Sequence, residues 1–275
     1  MVNLILPLLL ALVGGAGGFF LRRWELATVF EPSGLAVLWS TPSLLLIALS
    51  VVLAAAFALF CRKPRHAPAD YNEAFSAQNN WLYLIVMALA AATMLFAGIL
   101  GLRYTGYCGI LCKLTNFMCL LSFFCILAAA WSNFRGKSLR FSPTLLAPGY
   151  TLCLWLVSAY QQQAADPVVL DYVYELLAII CTLIGLYFSA GFSFGRPKIR
   201  RCAVFSLLGI YFSMVTLADP HSTADRLLFL FCILYQLASV SALLYHVFVA
   251  YTPTPAPVPD PSNETNNTQE VTPDE

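Results

Sequence analysis

Residues 81–102 read WLYLIVMALAAATMLFAGILGL. The run contains no Asp, Glu, Lys, Arg or His. A strand with one buried face alternates apolar and polar residues, and a helix on the surface of a soluble protein keeps one polar stripe. This run does neither. It is apolar on every side and matches the roughly 20 residues, range about 17–25, that a helix needs to cross the hydrocarbon core of a bilayer.

Working outward, the same pattern recurs at 3–21, 35–60, 111–131, 143–160, 168–194, 203–218 and 227–249. The expectation is an all-α polytopic integral membrane helix bundle of about eight spans over residues 1–250. No run shows the period-two alternation of a transmembrane barrel. The longest gap, 61–80, leaves no room for a separate soluble domain. The composition agrees: of 275 residues 60% are hydrophobic and 11% charged, with a mean hydropathy of +0.75. Soluble domains average about 45–50% apolar and about 25% charged residues. A formal net charge of +1 provides no field for nucleic acid.

From Tyr251 the composition changes to Thr, Pro, Asn and acid without a cation. Residues 251–275 are therefore expected to form a disordered tail that cannot bury apolar surface.

Orientation follows from Lys and Arg. With eight spans, ten of the fifteen cations fall in loops on the side of the N-terminus and five on the other. This predicts cytoplasmic N- and C-termini in a cell membrane. Trp24, Trp81 and Trp131 fall at expected span ends, where amphipathic rings meet headgroups. The pair Arg22-Arg23 conflicts with the scheme, because it follows the first span on the outer side. A cleaved signal would remove the conflict, but the stretch before residue 4 carries no cation.

Acid–proline pairs at Glu31-Pro32, Asp166-Pro167 and Asp219-Pro220 read as helix starts. The likeness of 165–171 and 218–225 suggests either a duplicated hairpin or two good starts. Pro148-Gly149 predicts a kink or break in the fifth span. Gly191 to Pro197 reads as a helix stop. Small residues at Gly14/Gly18, Ala97/Gly101 and Gly185/Ser189/Ser193 predict close helix contacts.

Chemistry is sparse. Glu175 falls about 10 Å into the sixth span at 1.5 Å per residue, with Asp171 one turn above it on the same face. Ionisable groups at depth mark proton or ion paths, and two stacked carboxylates can share a proton or hold a cation. Gln236, Tyr150 and Tyr211 lie in the more polar last four spans and suit a lined path, or hydrogen bonds between helices. Gly191-Phe192-Ser193-Phe194-Gly195 matches G-x-S-x-G, but the strand-to-helix context of the hydrolase elbow is missing.

Nine cysteines lie mostly within spans and include no C-x-x-C, so they read as structural; Cys108 and Cys112, spaced i, i+4 near the outer face, could also chelate weakly or oxidise. No metal site and no cofactor is expected: His246 is alone in its span, and neither a P-loop nor G-x-G-x-x-G occurs. The leading functional expectation is a permease, or membrane subunit of a transport system, for a small polar solute or ion. Its path would run through Glu175, Asp171, Gln236, Tyr150 and Tyr211. A non-catalytic anchoring or sensing module with other membrane or cytoplasmic partners is the alternative, and a Ser193–His246 hydrolase is the third. Lipid is the expected environment, and nucleic acid is excluded as a partner.

Overall fold

The computed structural model describes residues 2–29, 40–62, 66, 68, 70–104, 109–136, 142–163 and 169–249. Every helix or strand among them is helical. In chain order the helices are α1 (Val2–Thr28), α2 (Thr41–Phe60), α3 (Tyr71–Phe75), α4 (Trp81–Tyr104), α5 (Ile110–Arg135), α6 (Ala147–Gln163), α7 (Val169–Gly191), α8 (Ile199–Thr216) and α9 (Thr223–Phe248). The expected tail, Glu31-Pro32 and Asp166-Pro167 lie outside the described residues.

The fold is the expected helical membrane bundle. Seven helices are long and apolar enough to cross a membrane. The eighth expected span is α6, whose 17 residues follow a 3₁₀ turn at Ser142–Leu145. At 1.5 Å per residue it reaches about 25 Å, near the lower limit for a crossing.

Burial grades the helices. In α9, 72% of the apolar stretch is enclosed by protein, against 22% in α1 and α2. The last helix is therefore the core, and the first two lie at the periphery, packed against α8 and each other. Trp81 and Trp131 stay exposed at helix ends, and the Arg135 guanidinium lies 4.6 Å from the Trp131 ring. That arrangement suits an interfacial aromatic belt.

Four expectations change. The first helix does not end at residue 21 but continues to Thr28. Pro148 does not kink a span; it falls in the first turn of α6, where its missing N–H costs nothing. Asp219 does not start the last helix. Ser222 does, its hydroxyl accepting from Asp225 N at 3.1 Å and donating to Asp225 Oδ2 at 2.6 Å. Within the gap 61–80, α3 tucks beneath the bundle. Its Tyr71 hydroxyl and that of Tyr83 accept from Asn133 Nδ2 at 3.1 and 2.9 Å, and Phe75 meets Phe192 edge-on.

The expected stop after α7 is present. Gly195 takes φ +66°, and Arg196 N donates to Gly191 O at 3.0 Å. Such left-handed closure favours glycine.

Candidate functional site

The continuation of α1 builds the site. Positions 15, 18, 22 and 25 share a helical face. Gly15 and Gly18 let that face lie directly on α8: a Cβ at either would come 2.6 Å from Met214 or Val215. The close crossing carries Arg22 and Glu25 inward while Arg23 stays exposed. Arg22 and Glu25 are each fully buried.

Arg22 Nε donates to Asp219 Oδ1 at 2.7 Å, from the turn between α8 and α9. Its Nη1 donates to Glu25 Oε2, also at 2.7 Å. The Ser43 hydroxyl on α2 donates to Glu25 Oε1. The guanidinium carbon lies 5.2 Å from the centre of the Tyr174 ring on α7, a cation–π distance. One arginine thus joins α1, α2, α7 and the α8–α9 turn.

Asp219 extends the network. Thr216 Oγ1 lies 3.1 Å from Asp219 Oδ2 and 3.0 Å from His221 Nε2. The threonine has one proton, which the carboxylate takes, so the neutral imidazole must donate through Nε2. Burial pushes the Asp219 carboxyl above the ordinary carboxylate range, against the pull of Arg22. Burial also pushes the His221 imidazole below its ordinary value, against the pull of Asp219 and Asp225 and with a smaller downward push from Arg226.

This gives a pH prediction. As pH falls through about 6.5, the unfolded imidazole takes a proton that the folded one resists. The unfolded state then binds more protons, so stability falls with pH until the folded value is reached. Asp219 acts in the opposite sense, because its folded form holds a proton more readily than the unfolded one. The difference in Tm between wild type and His221→Gln isolates the imidazole. It should favour wild type above pH 6.5 and shrink as pH drops below it. A constant difference between pH 5 and pH 8 would refute this reading.

The sequence-derived candidates occupy several places. Glu175 is buried on α7 next to Tyr174 and has an interaction partner. Asp171 is in the first turn of α7, and its side chain lies outside the described residues. Tyr211 is fully buried near the cluster, its hydroxyl 2.8 Å from Ser50 Oγ. Gln236 is fully buried at mid-bundle, where Nε2 donates to Thr182 O at 2.8 Å. Tyr150 is 62% exposed, on the outside of the bundle. None of the five is among the lining residues of the two cavities described below.

The sequence pattern places the end of the first span before Arg22, so Arg22, Glu25 and Asp219 do not read from it as a site. The signal was present as the misplaced Arg22-Arg23 pair. Arg22 is not a loop cation, since two buried carboxylates receive it.

Ser193 and His246 form no dyad. Ser193 Oγ is buried without a hydrogen-bond partner among the described residues, and His246 Nε2 donates to Ser76 O at 2.7 Å. Among the described cysteines, seven are free, while Cys112 is disulfide-bonded. Burial raises the Cys61 thiol to about 11, so it stays protonated. No group of three metal-ligating side chains occurs among the described residues.

Two large cavities among those between the described helices bear on function. One, about 890 Å³, lies between the start of α4 and the end of α9, with His246 and Tyr83 in its wall. The other, about 720 Å³, lies between the end of α4, the start of α5, α6 and the start of α9. Fold and site together define a polytopic helical membrane protein with a buried ionic network at one end. No protein-family model, curated protein or solved structure matches the chain.

Proposed function

We propose that this chain is a membrane permease, or the membrane subunit of a transport system, for a small polar solute or ion, and that Arg22, Glu25 and Asp219 handle its proton or cation. The observation that carries this reading is the charge imbalance among the described residues: one guanidinium faces two carboxylates, all withdrawn from solvent, and His221, 3.9 Å from Asp219, adds a charge only when protonated. The sequence at 30–39 and 164–168 adds no Lys or Arg. In a low-dielectric site one arginine does not compensate two ionised acids, so the second acid favours uptake of a proton or a cation. Glu175 and Tyr211, buried nearby on α7 and α8, keep their suggested place on the path. Location in the cell membrane with both termini cytoplasmic belongs to the same proposal, and removing Arg22 from the outer loops supports it.

The test uses purified full chain in liposomes containing a trapped pH-sensitive dye, with a potassium diffusion potential imposed by valinomycin. Wild type should acidify the lumen faster than empty vesicles. Glu25→Gln and Asp219→Asn should each lower that rate by about tenfold or more, the usual scale for loss of a proton-transferring group, while keeping a cooperative melt. Equal rates in wild type, variants and empty vesicles would defeat the proposal.

An anchoring or sensing module is the second reading. The exposed basic segment at Arg196, Lys198, Arg200 and Arg201 favours it, since such a patch suits anionic headgroups or an acidic partner. On that reading, neutralising the segment changes recruitment to anionic vesicles and the Glu25 variant changes nothing.

A further inference from the structure

We infer that the cavity of about 720 Å³ between α4, α5, α6 and the start of α9 is a binding site for a small organic ammonium ion, an amine or amino alcohol. It goes beyond the reading above, because binding here does not require transport.

The lining chemistry carries the argument. Asp225 is the one charged side chain among the described lining residues, and no cation faces it across the cavity. A helix N-terminus would favour an anion, but Asp225 already sits in the first turn of α9 and meets that pole itself. Trp155 supplies an aromatic wall, held by its contact with Phe229 at 4.8 Å between ring centres. A carboxylate with an indole is the pairing that attracts a cation and accepts its N–H groups.

Ser158 and Gln162 on α6 add neutral hydrogen-bonding groups to the wall. Asn116 is the second, independent observation. Its side chain is only 7% exposed, yet Nδ2 has no hydrogen-bond partner among the described residues. A buried amide donor without an acceptor is costly; Asn116 lines the cavity, and turning its amide from Gly101 toward the open side would let a ligand hydroxyl or ester oxygen accept from it. Gly101 gives the amide its space, since a Cβ there would collide with it. A ligand with an ammonium at one end and an oxygen at the other meets both observations.

The cavity also adjoins the ionic network. Phe229 packs on Trp155 and, at 4.9 Å, on His221, which bonds to Thr216 beside Asp219. A bound cation near Asp225 would therefore be one aromatic layer from the cluster.

The ammonium can come from a free amine or from the headgroup of phosphatidylethanolamine. The experiment places full-length protein in nanodiscs of phosphatidylglycerol, with or without phosphatidylethanolamine, and titrates ethanolamine, choline, glycerol and acetate. Ethanolamine raising Tm only in discs without phosphatidylethanolamine assigns the site to the headgroup. An equal rise in both assigns it to a free solute. Glycerol and acetate should do nothing in either.

Asp225→Asn keeps a side chain that can accept from Ser222, and Gln162→Leu removes one neutral hydrogen-bonding group of the wall with its bond to Ser158. The first should weaken ethanolamine binding by about tenfold or more, the scale of losing a charge-assisted contact, and the second by less. The inference is overturned if neither ammonium nor headgroup shifts Tm, if acetate shifts it as much, or if Asp225→Asn binds as wild type does. None of these outcomes depends on the proton-flux assay, so the two proposals fail separately.

Discussion

Arg22→Leu is expected to cost about 3–5 kcal/mol of stability, the range for removing one partner of a buried charge pair. The variant leaves Glu25 and Asp219 buried without their guanidinium. It also removes the cation over Tyr174 and the link between α1 and the α8–α9 turn. Protonation of the stranded acids limits the loss, so Arg22→Leu should be least damaging at low pH. Arg23→Leu, one position along on the exposed face, should lie within about 0.5 kcal/mol of wild type.

The triple variant Arg22→Leu, Glu25→Leu, Asp219→Leu separates structure from function. Apolar replacement of a whole buried ionic group is often neutral or stabilising. The triple variant should therefore recover most of the stability lost in the single one while remaining inactive in the proton-flux assay. Unfolding in denaturant, followed in lipid nanodiscs, measures the first part. A triple variant no more stable than Arg22→Leu would show that the network's energetics are not those of a stranded charge.

Gly209→Leu is expected to separate α8 from α7. Even a Cβ at Gly209 would lie 2.9 Å from Thr182 Oγ1 and 3.2 Å from the Thr182 backbone. Backbone cannot rotate aside as a side chain can. Gly209→Ala should cost about 1–3 kcal/mol, the usual range for overpacking, and the leucine variant more. Gly17 is the control. A Cβ there meets nothing within 4 Å, so Gly17→Ala should be neutral or gain up to about 1 kcal/mol from helix propensity. Parallel melts of the three variants check this. Similar losses at positions 17 and 209 would mean that the close α7–α8 approach is not the cause.

Legibility differed between elements for definite reasons. The interior of a span such as 81–102 announces itself because a bilayer demands uninterrupted apolar length. Helix ends do not, because an arginine that closes a span in isolation can continue it when acids lie across the interface. For that reason α1 was expected to stop before Arg22. The five-residue helix α3 carried no periodicity long enough to register, and tertiary burial of Tyr71 and Phe75 holds it. Ser222 outcompeted Asp219 as a cap because Asp219 had a charged partner 197 residues away, which no local pattern displays.

By itself, then, the sequence determined the class of protein, the positions of the span interiors and the stop at Gly195, all of which depend on local composition and spacing. The tertiary structure alone decided that Arg22 meets Glu25 and Asp219, that Tyr150 faces outward, that Gln236 is held by Thr182, and that Asp225, Trp155 and Asn116 share one cavity. Those facts depend on which helix faces turn toward one another. In a chain apolar all round its helices, close packing and the pairing of a few buried charges select those faces, and a one-dimensional pattern of hydrophobicity does not encode them.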